Sequence, residues 1–132
     1  MGAAFVFGGY FLMRYIEDTE QMLLVRWAEL QSCKYPELEL LFHIPNGGKR
    51  DAREAARFKQ LGVKAGVPDL CLPVPRGMFH GLFIEMKSPD GKATKKQKEW
   101  LEKLAKQGYD TAVCYSFEEA QKKIIEYILR EK

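Results

Sequence analysis

The sequence predicts an α/β domain built on a small mixed sheet flanked by helices, and three observations carry that expectation. Two short apolar runs, residues 68–74 and 81–87, lie either side of a Pro75-Arg76-Gly77 turn and read as an antiparallel hairpin. A third run, DTAVCY at residues 110–115, sits between two helical segments, as a buried strand in a helix-covered sheet does. The 132 residues, 46% apolar and 30% charged, suffice for one domain with one core and exclude separate cofactor and substrate domains.

Each element follows from local signals. The opening MGAAFVFGGYFLM is apolar but only 13 residues long, too short to span a bilayer, and no basic residue precedes it as in a secretory signal. A cytoplasmic protein is therefore expected. Residues 1–17 form an apolar N-terminal arm that either packs on its own core or lies across a partner subunit, and residues 18–132 form the domain proper. Over residues 18–32, Leu23, Leu24, Trp27 and Leu30 recur at helical spacing, with Glu20 one turn before Leu24. Pro36 stops that helix, residues 40–44 read as a short strand, and Asn46-Gly47-Gly48 is a loop.

Residues 51–61 form a second helix with a small face of Ala52, Ala55 and Ala56, closed by Gly62. Pro73 ends or bulges the first hairpin strand. Thr94 with Gln97 forms a capping box for a helix over 95–106, whose apolar face is Trp100, Leu101, Leu104 and Ala105. Ser116 with Glu119 opens the last helix, packed through Ile124, Ile125 and Ile128.

Net charge is only +3, which permits a nucleic-acid partner without indicating one. Its distribution is more informative. Residues 49–64 hold six basic side chains against Asp51 and Glu54, and residues 87–106 hold seven against Asp90, Glu99 and Glu102. Two basic stretches in an otherwise acidic chain suit a phosphate-binding face, although solvated helix surfaces have the same composition. Cys33, Cys71 and Cys114 have no paired spacing and read as free thiols in a reducing compartment. Neither His43 nor His80 has a companion at metal-ligand spacing.

Asp69 and Glu85 carry the chemistry, each an isolated acid in an apolar strand. Such a carboxylate is costly to bury unless it is paired or binds a cation. A hairpin turning near Gly77 brings the two together, and a pair of close carboxylates suits Mg²⁺ or Mn²⁺ better than Zn²⁺. Glu85 and Lys87 share a side of their strand, while Met86 points into packing and leaves its backbone carbonyl for the metal. Lys87 then stands where an ammonium group orients water or stabilises charge on a phosphate. Lys64, on the Gly-rich approach to Asp69, is a candidate phosphate contact. His43 and Asn46 are open between contacting the phosphate and serving as a core histidine and a turn asparagine.

Together these residues resemble the PD-(D/E)xK nuclease superfamily, and within it the virus-type replication-repair nuclease (VRR-NUC) family. The marks are Glu20-Gln21 in the first helix, HIPNGG at 43–48, GVKAGVPDL at 62–70, GLFIEMK at 81–87, Gln97 and Gly108-Tyr109. No position of this pattern departs from the family. The resemblance implies a restriction-endonuclease-like core with Asp69 and Glu85 as metal ligands and Lys87 as the motif lysine. It makes Glu20 the first-helix acid, acting directly or through water, and turns Gln97 toward the site. It also implies a standalone, phage or bacterial homodimer that cuts branched DNA such as four-way Holliday junctions in repair or recombination. No membrane and no organic cofactor are expected. The alternatives are a nuclease for flaps, nicks or ends, and a catalytically silent DNA-binding subunit.

Overall fold

The computed structural model describes the backbone of residues 2–45 and 51–132, with side chains from residue 12 onward. Helix α1 spans Gly2–Gln31, followed by a 3₁₀ turn over Pro36–Leu40, strand β1 (Phe42–His43) and helix α2 (Ala52–Gln60). Strands β2 (Leu70–Leu72) and β3 (Leu82–Met86) lead into α3 (Lys95–Lys106), β4 (Asp110–Cys114) and α4 (Phe117–Ile128). The sheet order is β1-β2-β3-β4, with β1 and β2 antiparallel, β2 and β3 antiparallel, and β3 and β4 parallel. This is the small mixed α/β architecture that the sequence predicts, consistent with a PD-(D/E)xK-like core.

The expected elements are present with three differences. Helix α1 starts well before residue 18. The run 40–44 yields only the two-residue β1, because Pro36 begins a 3₁₀ turn that occupies the chain up to Leu40. The buried seam of α1 is Leu24 and Ala28, while Leu23 and Leu30 are exposed. The hairpin matches expectation closely: β2 stops at Leu72, directly before Pro73, and pairs Leu70 with Ile84 and Leu72 with Leu82.

Alternation along the strands divides the sheet into two faces. Leu70, Leu72, Leu82, Ile84, Met86 and Cys114 join α1 and α4 (Ala120, Ile124, Tyr127, Ile128) in the core. Truncating such a side chain, as in Ile84→Ala, costs about 2–5 kcal/mol. Phe83 belongs to the opposite face, where it meets Tyr109 edge-on. Asp69, Glu85 and Lys87 follow the same alternation onto that second face.

Two further contacts fix the frame. Arg76 is buried at the hairpin turn, where it donates to the Ile128 carbonyl at 3.0 Å and pairs with Glu37 at 2.7 Å. Its guanidinium thus ties the turn to both α4 and the 3₁₀ segment. Gly66 has a φ of +90°, and a Cβ there would lie 2.9 Å from the Lys96 backbone, so only glycine lets the loop approach α3 this closely.

The side chains of the aromatic arm (Phe5, Phe7, Tyr10, Phe11) and the loop residues Asn46 to Arg50 lie outside the described residues. No helix among the described residues is long and apolar enough to cross a membrane. Cys71 and Cys114 are buried, as expected of small hydrophobes, and burial pushes both thiols up to about 11. Cys33 is exposed beyond the end of α1.

Candidate active site

The open end of the hairpin builds the site. Since Leu70 pairs with Ile84, continuing the antiparallel register sets Asp69 opposite Glu85. Asp69 Oδ2 accepts from the Met86 backbone N–H at 2.8 Å, so the acid is locked onto the partner strand. A cleft of about 230 Å³ opens here, and Asp69, Glu85, Met86, Lys87 and Gln97 all line it. These are the expected site residues apart from Glu20, Gln97 among them through the family resemblance.

Glu85 is 2% exposed, and its two oxygens differ in environment. Oε1 accepts from Gln97 Nε2 at 2.8 Å and lies 3.7 Å from Lys87 Nζ. Oε2 is buried without a hydrogen-bond partner. Burial first, then the negative charge of Asp69, pushes Glu85 from 4.5 up to about 8. Burial raises Asp69 as well, against the opposing effects of the Met86 N–H and the Lys87 charge. Two buried carboxylates this close share a proton, Asp69 and Glu85 being hydrogen-bonded to each other, unless a cation takes the proton's place.

Helix α3 supplies one wall. Gln97 Oε1 accepts from Thr94 N at 2.8 Å while Thr94 Oγ1 accepts from Gln97 N at 3.2 Å, a complete capping box. Because Gln97 uses its oxygen for the cap and its nitrogen for Glu85, capping and site contact are one arrangement. At α4, Ser116 caps as expected, but Glu119 accepts from Tyr115 N instead of from the cap residue itself.

The wall from α1 corrects the sequence reading. Glu20 is absent from the cleft: its Oε2 accepts from Phe117 N at 2.8 Å, at the N-terminus of α4. Glu17 lines the cleft instead, its Oε1 accepting from Ser88 N at 3.2 Å. Arg14, Asp18 and Gln21 line it too, so that the polar residues recur at i, i+4 and i+7 with Glu17 between. Glu17 and Gln21 continue the seam of Leu24 and Ala28, which turns from apolar to polar as it passes the strand ends. That periodicity was present in the sequence but is visible only if the helix extends upstream of residue 18. His43 also lines the cleft, with Nδ1 2.8 Å from the Asp69 carbonyl oxygen and 3.0 Å from the Gln21 amide.

Comparison with known proteins identifies the family. The model of the VRR-NUC domain matches residues 17–118, most of the chain. The chain belongs to the VRR-NUC family. A solved structure described as a VRR-NUC domain protein is 38% identical, with a TM-score of 0.77 over 89% of this chain and 91% of that one. No curated protein matches.

VRR-NUC membership links the chain to a superfamily of metal-dependent nucleases. Among the described residues, no group of three His, Cys, Asp or Glu side chains is arranged to hold a metal ion. The donors at the hairpin end still fit Mg²⁺ or Mn²⁺, because such ions are commonly held by one or two carboxylates and keep several waters. The unpartnered Oε2 of Glu85, the Asp69 carboxylate and the Met86 carbonyl would hold it.

Proposed function

We propose that this VRR-NUC domain is a divalent-metal-dependent DNA endonuclease, selective for branched duplex such as four-way junctions. The observation that supports it best is the buried Asp69–Glu85 pair, with Lys87 Nζ 3.7 Å from Glu85 Oε1 in the same cleft. In hydrolysis, water attacks phosphorus and one P–O ester bond breaks. A bound Mg²⁺ or Mn²⁺ would supply Lewis acidity toward the phosphate. Lys87, held beside Glu85, stabilises the charge that grows on the phosphoryl oxygens. Gln97 keeps one Glu85 oxygen engaged and leaves the other for the cation. Glu17 takes the first-helix role that the family resemblance assigns to Glu20, because it is the α1 glutamate that lines the cleft.

The exposed basic residues of α2 and α3 would hold flanking backbone without reading bases. The working form is a homodimer, since paired cuts across a two-fold junction need two sites. Leu12, Tyr15 and Met22, exposed on α1, suit a two-fold contact between copies.

The test is cleavage of labelled four-way junction, flap, nicked and linear DNA in Mg²⁺ or Mn²⁺. Asp69→Asn and Glu85→Gln should abolish cutting. Lys87→Ala should keep metal affinity and lose about a hundredfold in rate. Faster cutting of flaps, nicks or ends than of junctions would move the substrate assignment there. Undiminished cutting by D69N would remove this site from the chemistry. Light scattering should give twice 15.2 kDa.

A further inference from the structure

A second groove adjoins the catalytic cleft, and its chemistry differs. It encloses about 360 Å³, and its walls are Ile44, Pro45, Leu61, Val63 and Trp100, with Lys64 on its lining. Pro45 lines both cavities, so they are neighbours. Helix α3 links them as well: Gln97 reaches the cleft and Trp100, one turn later, reaches the groove. Leu61 is 68% exposed, at the C-terminal cap of α2, where an apolar side chain facing water is costly.

We propose that this groove receives an unpaired nucleobase of the DNA strand whose phosphate lies at the Asp69–Glu85 site. The inference rests on the nuclease reading and deepens it, since it makes an unstacked base part of what is recognised. An indole with aliphatic walls offers a stacking surface that accepts any base, worth about 1–3 kcal/mol per base. Charge complementarity selects nucleic acid over an apolar peptide. Lys64 belongs to the groove itself, and the adjoining α2 is exposed and carries Arg53, Arg57 and Lys59. A strand that follows these cations lays its phosphates on charge and its base on Trp100. Fully paired DNA cannot do this, because its bases are already stacked. The groove therefore favours DNA with unpaired bases at or near the cut, as at flaps and overhangs, and engages a four-way junction only when a base at the branch point unstacks.

The experiment uses the full chain with Ca²⁺ and three fluorescein-labelled DNAs. These are a paired duplex, the same duplex with a short thymidine overhang, and that overhang with abasic residues. The expected result is tighter binding of the thymidine overhang than of the abasic one, by about fivefold or more. Trp100→Leu should erase that preference and leave paired-duplex affinity unchanged, whereas Trp100→Phe should retain most of it. Equal affinity for the thymidine and abasic overhangs overturns the proposal, without recourse to any variant. So does a Trp100→Leu loss shared in proportion by all three DNAs, or one accompanied by a changed mass in light scattering, which would mark a contact between copies. Cleavage by the unmodified protein and by D69N, measured in parallel in Mg²⁺, separates the two readings. A base preference without metal-dependent cleavage supports the groove and removes the nuclease, and cleavage without base preference does the reverse.

Discussion

Gln97 Nε2 donates to Glu85 Oε1 at 2.8 Å while the other end of the same amide accepts from Thr94 N. The start of α3 and the end of β3 are therefore joined through one side chain. A change at Gln97 is felt at both the helix start and the buried acid, and its two functions can be separated by comparing it with its capping partner.

Thr94→Ala should remove the cap and cost about 1 kcal/mol of stability, with little loss of cleavage. Gln97→Ala should cost a similar amount from the cap and, in addition, lower the cleavage rate about tenfold, because a hydrogen bond to a charged or titrating group is lost. Urea melts and single-turnover cleavage of both variants give the comparison. Equal rates in the two would confine Gln97 to capping.

Glu17 and Glu20 are three residues apart on one helix yet meet different partners, Ser88 N and Phe117 N. Glu17→Gln should reduce cleavage at least tenfold with a small change in stability. Glu20→Gln should cost about 1 kcal/mol, by weakening a carboxylate at a helix N-terminus, and leave the rate near normal. The opposite pattern would return the first-helix role to Glu20.

The raised Glu85 predicts a pH dependence of definite sign. With the folded value near 8 and the ordinary one at 4.5, the native state holds a proton that the unfolded state has released between those limits. The Glu85 contribution to metal-free stability is therefore fully present below the lower limit and is lost as pH climbs toward 8. A cation needs the ionised pair, so its binding tightens over the same interval. Thermal melts with EDTA and with Mg²⁺ should show a metal-induced rise in Tm that is larger at pH 8 than at pH 6. Glu85→Gln should flatten both trends. A metal-induced rise independent of pH in the unmodified protein would refute the link.

Lys95, Lys96 and Lys98 are exposed at the start of α3, close to the cleft that Gln97 enters. Replacing all three with Ala should weaken binding to unrelated duplexes by similar factors. It should also flatten the plot of log affinity against log salt by up to about one unit of slope for each phosphate contacted. An unchanged slope would leave these lysines solvated and the DNA path elsewhere.

The sequence by itself determined the parts that depend on short-range pattern. The hairpin around Gly77, the helix capped by Thr94 and the strand over 110–114 are all local and lie where expected, although that strand is half-buried except at Cys114. Asp69, Glu85 and Lys87 were legible for the same reason, because strand alternation and hairpin closure place them together, whereas Gln97 was legible only as a cap and its turn toward the site came from the family resemblance. Only the tertiary structure decided what α1 contributes. Leu23, Leu24, Trp27 and Leu30 all fit a helical stripe, but the register against β3 and α4 buries Leu24 and Ala28 and leaves Leu23 and Leu30 in water. That rotation turns Glu17 to the cleft and Glu20 to the end of α4. Likewise, Trp100 reads from the sequence as part of a packing face, yet it lines a groove beside Pro45. Local periodicity defines which residues share a helix face. Which way that face points is set by packing against chain distant in sequence, and no local pattern encodes it.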